Sequence, residues 1–315
     1  MAFAALVGAA SAAYVFYYAR ANPGFVSDFD QVWAGAAALW RGENPYLVVG
    51  PGRGFHWHWP LYYPMPALVL TAPLGLLPVI AARMLFAGLS SALLAFAITR
   101  DGFARWPLFI SIPFMVNVEL VQWSNLLTAA MLLPVLGGIA AAKPNIGLAM
   151  VAQTDRARSL WAMAIGAAVL TIVSFAVFPN WVGFWIQNAS SAPHVSPHVL
   201  RPGGPLLLTA LVRWRRPEAR LLAALACTPL TPTFYDPIML YLVPRTFRET
   251  LALTVATFVH FFIVVFSGPI RTAAQWGEIV STASIWVLYL PCLIMVLRRP
   301  NRRDEPASVI RTTFA

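Results

Sequence analysis

Long apolar runs, separated by short polar or basic breaks, set the pattern of this chain. Phe3 to Tyr18 reads as a first membrane span, Leu61 to Val79 as a second and Ala81 to Ile98 as a third. Pro107 to Leu120 reads as a fourth. The run Asn125 to Val151 is too long for one span and short for two, and Pro134, Gly137-Gly138 and Lys143-Pro144 interrupt it. It predicts two short helices. Arg158 to Phe178 is a clear span, and Pro205 to Trp214 is short. Leu221 to Pro232 and Pro237 to Pro244 predict a second short pair, and Leu251 to Phe266 and Ile279 to Leu297 complete the chain. The pattern predicts an all-α integral membrane protein of roughly ten to twelve spans, with no repeat and no soluble domain.

One early segment departs from that pattern. Ser27 to Tyr46, SDFDQVWAGAAALWRGENPY, carries Asp28 and Asp30 at its start. Ser27 and Asp30 have capping-box spacing, which predicts a helix starting there. Phe29, Trp33, Ala36, Ala37 and Trp40 recur at helical steps, Gly42 closes the helix and Asn44-Pro45 turns the chain. The expectation is an amphipathic helix lying in the membrane surface, with Trp33 and Trp40 toward lipid. The two acids read either as N-terminal caps or as a functional carboxylate pair.

Composition agrees with a membrane protein. Hydrophobic residues make up 59% and charged residues 11%, against about 25% charge in soluble domains. Mean hydropathy is +0.68. The net charge of +10 gathers in short stretches such as Arg213 to Arg216 and Arg298 to Arg303, so it marks cytoplasmic ends rather than nucleic-acid binding. That rule puts residues 298–315 inside as a basic tail, and residues 19–60 and 179–204 outside as two large loops. Arg83 then falls at an inner turn, and Arg100 to Arg105 falls outside, against the rule. The expected location is the cell (inner) membrane, with one multi-pass domain over residues 1–315. Cys227 and Cys292 lie in apolar runs and predict neither a disulfide nor a metal site.

The candidate chemistry is one-sided. His56, His58, His194 and His198 fall in the outer loops with Asp28, Asp30 and Glu43, and Asp236 falls at an outer span end. Carboxylate and imidazole groups suit general acid–base work. Trp57, Trp59, Tyr62, Tyr63, Trp181 and Trp185 read as an interfacial aromatic belt or as surfaces for stacking on sugar. The His56-Trp57-His58 run has no third ligand fixed by spacing, so no metal is expected. Lys143 and Glu119 lie in apolar segments, where charges are paired or functional. Lys143, beside Pro144 at a helix break, reads as a phosphate ligand or as a snorkelling lysine.

Asp28-Phe29, Val32-Trp33, Ala36-Ala37, Leu39, Gly42 and Asn44-Pro45-Tyr46 together resemble the first outer loop of polyprenyl-phosphate-mannose-dependent mannosyltransferases. These are GT-C class membrane glycosyltransferases, in the group that includes phosphatidylinositol mannoside mannosyltransferases. Tyr63-Pro64-Met65-Pro66-Ala67, Ala72-Pro73-Leu74 and Leu77-Pro78 resemble that family's next span. Gln122 and Asn125 resemble its Gly-Gln-x-Asn element, with one residue more between them and no preceding glycine. Lys143-Pro144 with Gly147, and Thr231-Pro232 with Tyr235-Asp236, resemble later elements. The likeness covers the first half best and thins after Phe178.

The resemblance implies a GT-C-like helix bundle and a polyprenyl-phosphate-linked donor, with mannose the expected sugar and arabinofuranose the alternative. It implies a lipid or glycan acceptor, an outer-face site without metal or cofactor, and inversion at the sugar carbon. Asp28 maps onto the base, with Asp30 as substitute, and a carboxylate at a helix N-terminus should stay ionised. From side and charge alone, Lys143, Arg201 and His198 are candidates for the donor phosphate. Trp33, Tyr46, His56, His58, Tyr63, Gln122, Asn125 and Asp236 are candidates for substrate contact. The rival expectation, favoured by the altered Gln122–Asn125 spacing and by charges inside spans, is a non-catalytic membrane subunit or a lipid or glycan transporter on the same scaffold.

Overall fold

The computed structural model describes residues 1–192, 195–230, 233–269 and 272–301. The regular structure of the described residues is helical apart from one parallel strand pair, Val49–Gly50 with Phe55–His56. Five helices are long and apolar enough to cross a membrane: α1 (Ala2–Ala21), α5 (Val79–Thr99), α9 (Ala157–Val177), α12 (Phe247–Val265) and the continuous helix Ala274–Leu297. The protein is therefore an all-α membrane protein. The other apolar runs, some expected as spans and some as short helices, all fold as shorter pieces. They are α4 (Met65–Thr71), α6 (Ile112–Glu119), α7 (Ser124–Leu132), α8 (Pro144–Gln153), α11 (Pro217–Cys227) and 3-10 helices such as Pro134–Ala142, Gly204–Arg213 and Asp236–Leu242.

The second expected span is the main correction. Leu61 to Val79 does not cross the bundle. It forms α4 and a 3-10 turn, Ala72–Leu76, that fold against α2 (Asp30–Trp40). The Trp33 indole donates to the Leu77 carbonyl at 3.0 Å and that of Trp40 to Ala72 at 2.7 Å. Pro64, Pro66, Pro73 and Pro78 break the run, and a hydropathy window reads a buried half-helix and a span alike. With that crossing removed, α5 starts at the same end of the bundle as Asp30, and Arg83 pairs with Asp30 rather than sitting at an inner turn. The Arg100 to Arg105 stretch moves to the opposite end, where Arg105 donates to the Pro244 carbonyl at 2.8 Å. Its apparent breach of the charge rule disappears.

That opposite end is strongly basic. Glu218 sits among Arg216, Arg245 and Arg299 at 3.5, 3.0 and 3.2 Å, and Arg299 also reaches Glu249 at 2.8 Å. Thr246 and Glu249 there form the capping box of α12.

The first-loop helix is also different from its expectation. It begins at Asp30, not Ser27, and Asp30, Gln31, Val32, Ala34, Gly35, Ala36 and Ala38 are all buried. It is packed into protein rather than lying on lipid. Trp33 is half-buried against the core, and only Trp40 keeps an exposed ring. The packing is close because Gly75 lets the backbones touch: a Cβ there would lie 2.7 Å from the Ala37 nitrogen. The same device joins the Pro134–Ala142 turn to α9, where a Cβ on Gly138 would lie 2.7 Å from the Gly166 carbonyl carbon. Gly75→Ala should therefore lower stability by about 1–3 kcal/mol, read by thermal unfolding in detergent; unchanged stability would contradict this packing.

Candidate active site

The site is built on the segment that enters α2. Asp30 is held from four directions. Ser27 N–H donates to Oδ2 at 3.0 Å and Ser27 Oγ to Oδ1 at 2.7 Å. Arg83 Nε donates to Oδ1 at 2.7 Å and Arg83 Nη2 to Oδ2. These bonds match the roughly four lone-pair sites of a carboxylate. Asp30 is thus a saturated structural anchor, and the expectation of a substitute base does not fit it. Arg83 also donates to the Phe25 carbonyl at 3.1 Å, which fixes the approach to Asp28.

Asp28, two residues earlier, is half-buried and its carboxylate accepts a hydrogen bond from Gln122 Nε2. Gln122 is aimed there by a break between α6 and α7. Val121 adopts a left-handed conformation, φ 53°, which a β-branched residue rarely takes. Gln122 N–H then returns to the Asn117 carbonyl at 2.8 Å. The break also brings Ser124 to the start of α7, where its hydroxyl donates to Asp236 Oδ1 at 2.8 Å.

Lys143, at the junction between the Pro134–Ala142 turn and α8, is 3.5 Å from the same Asp236 oxygen. Its ammonium stands 5.5 Å above the Tyr235 ring. Tyr63 packs beside the fully buried Trp123, ring centres 6.0 Å apart, within electrostatic reach of both Asp28 and Asp236. Tyr46 supports it by donating its hydroxyl to the Tyr63 carbonyl at 3.2 Å. Asp28, Tyr63, Gln122, Lys143 and Asp236 thus form one cluster, as does Ser124, which sequence reasoning missed. Buried polar atoms without a protein partner gather here among the described residues: Gln122 Oε1, Trp123 Nε1 and Asp236 Oδ2. Such atoms mark a place where water or a ligand completes the bonding.

Electrostatics sort the candidates further. Burial pushes the Asp28 carboxyl above its ordinary range; the Gln122 hydrogen bond and Lys143 oppose this, and Asp30 adds to it. The helix N-terminus does not decide the matter. Burial also pushes His198 down, to about 4, helped by the charge of Arg201. A neutral imidazole supplies no positive charge to a phosphate, so His198 offers an N–H donor there and no charge. Burial, then Asp28 and Asp236, push the Tyr63 phenol up, so it stays a hydroxyl donor at neutral pH.

The other candidates lie apart. Asn125 donates to Ser91 Oγ at 3.3 Å between α5 and α7. His56 and His58 are exposed with rings 6.2 Å apart, and no group of three potential metal ligands occurs among the described residues. Trp33 lines a separate surface groove with Arg41, Glu43 and Phe55. Arg201 reaches the Ser196 carbonyl at 3.4 Å. Glu119 is paired, accepting from Tyr14 on α1 at 3.3 Å. His194, Thr231 and Pro232 lie outside the described residues.

Arg83 was missed as part of the site, although a charge within an apolar run was the available signal. The cluster brings together a buried carboxylate, an ammonium group and hydroxyl donors, the groups needed to accept a proton and steady a leaving anion. No family model, curated protein or solved structure matches this chain.

Proposed function

We propose that the protein is a GT-C-type membrane glycosyltransferase that moves a sugar from a polyprenyl-phosphate donor to a lipid or glycan hydroxyl. The observation that carries this reading is the Asp28 carboxylate, held by Gln122 in one cluster with Lys143, Ser124 and Tyr63. The cluster lies toward the end of the bundle opposite the arginine-rich one, which is the outer face by the positive-inside rule. The expected sugar is mannose.

In the proposed reaction Asp28 takes the proton of the acceptor hydroxyl as that oxygen attacks the anomeric carbon. The bond from that carbon to the phosphate oxygen breaks, its electron pair leaves with the phosphate, and the sugar carbon inverts. Lys143 receives the phosphate charge, with Tyr63 as hydroxyl donor and Ser124 holding Asp236 in place. A base with a raised pKa is better matched to neutral pH than an ordinary carboxylate.

Asp28 works deprotonated, so transfer falls as pH drops through its pKa. Burial places that acid limb above the ordinary carboxylate value of about 4. Gln122→Ala removes a bond that favours the charged form, so the limb should move to still higher pH. The pH profile of radiolabelled mannose transfer from polyprenyl-phosphate-mannose checks this. Identical limbs in wild type and variant would contradict the role given to Asp28.

The transporter reading requires a polar path from one end to the other. Against it, the 3-10 helix Asp236–Leu242 is buried along its whole length, and five of the six residues after Asp236 are apolar Pro237, Ile238, Met239, Leu240 and Leu242. Val243 beyond it already touches Arg299 of the basic end. Cysteine labelling from both faces separates the two readings: an enzyme of this kind should label in the Asp28 cluster from the outer face alone.

A further inference from the structure

Asp236 faces two ways. Its Oδ1 belongs to Ser124 and Lys143, while its Oδ2 has no partner among the described residues. The residue also lines a second, narrow cavity with His198, Thr233, Ser281, Ser284 and Tyr289, which has room for about one water-sized group. His198 Nδ1 is likewise buried without a partner among the described residues. His198 is 8% exposed and Asp236 2%, so both groups are more than nine-tenths buried.

The walls of this cavity are fixed. The His198 ring packs on the Tyr289 ring with centres 4.7 Å apart. Tyr289 ends a π-helical turn, Ile285–Tyr289, where the Leu290 N–H bonds back to Ile285. Pro291, which has no N–H to donate, follows directly, and such turns recur at functional sites. The loop carrying His198 is clamped to the same helix at Gly203, φ 82°, where a Cβ would lie 2.5 Å from the Trp286 ring. On the far wall Ser284 Oγ is 3.0 Å from His260 Nε2, which is also 3.2 Å from the Val280 carbonyl.

The chemistry of the lining selects its ligand. An anion would meet the Asp236 carboxylate, with a neutral His198 beside it. A cation would compete with Lys143, already 3.5 Å from that carboxylate. An apolar group would leave both buried polar atoms unpaired. A hydroxyl fits: it can donate to Asp236 Oδ2 and accept from His198 Nδ1–H in the corresponding tautomer.

We infer that this cavity seats one ring hydroxyl of the donor sugar, held by Asp236 and His198, and so determines which sugar is accepted. The inference rests on the reading under Proposed function. There Lys143 holds the phosphate, and Asp236, in contact with Lys143, stands where the attached sugar must lie. A water could supply the same hydroxyl chemistry, and the test separates the two sources.

The test compares binding of a sugarless polyprenyl monophosphate and of polyprenyl-phosphate-mannose to the purified full-length protein in detergent. Wild type should bind the mannose-bearing lipid about tenfold or more tightly than the sugarless one. In His198→Ala and Asp236→Asn that increment should fall toward unity, while binding of the sugarless lipid to His198→Ala persists and reports an intact fold. If His198→Ala does not fold, His198→Phe, which keeps a ring on Tyr289 but has no Nδ1, reads the same increment. Equal affinity of both lipids in wild type means water fills the cavity; it overturns this inference and leaves the transferase reading standing. An increment unchanged in the variants also overturns it. If neither lipid binds, both readings are overturned.

Discussion

Asp28→Asn should reduce sugar transfer by a factor on the order of 10²–10⁴ without lowering the unfolding temperature. The first half follows from the role proposed for the carboxylate, since an amide cannot take the acceptor proton. The second follows from its setting. Burial raises the Asp28 pKa, so ionising Asp28 costs more in the folded chain than in the unfolded one, and that cost weighs on stability at neutral pH. The sign is that of a raised carboxylate: its contribution to stability worsens as pH rises from the ordinary value through the folded one. Asn is neutral, has nearly the same shape and still offers an oxygen to Gln122. The variant should thus be inactive and equally or more stable. Transfer assays and thermal unfolding on one preparation check both halves, and a variant that is inactive only because it is unfolded would count against this assignment.

The largest expected loss of stability belongs to Arg83. Arg83 and Asp30 form a buried pair, with side chains 7% and 2% exposed. Arg83→Met leaves Asp30 charged and buried with only Ser27 beside it, which should cost about 3–5 kcal/mol. The segment around Phe25 loses its tether as well, so Asp28 is no longer presented to Gln122 and transfer should fall too. Adding Asp30→Asn removes the stranded charge, so the double variant should recover much of the stability. Thermal unfolding of the single and double variants measures the difference. A single variant as stable as the double one would mean that the pair does not hold this loop.

The parts of this molecule that could be read in sequence are those where residue chemistry opposes its surroundings. Lys143 stands out in an apolar run, and Asp28, Gln122 and Asp236 stand out near span ends; the fold gathers all four. The helix after Asp28 was legible from its apolar spacing, but not its burial. Ala36 and Ala37 look the same facing lipid or facing the backbone of Gly75. Hydropathy could not tell Leu61 to Val79, a half-helix packed on α2, from a crossing, and that one miscount placed Arg83 and Arg100 to Arg105 at the wrong ends. His198 carries no local sign that burial will keep it neutral, because the rings that bury it come from a helix about ninety residues on.

The central claim is tested most directly by offering radiolabelled polyprenyl-phosphate-mannose, and separately the arabinose-bearing lipid, to membranes containing the wild-type protein. Label should pass into extractable lipid or polymer with wild type and not with Asp28→Asn. Equal transfer by both proteins, or none from either donor by a wild type that binds them, would contradict it.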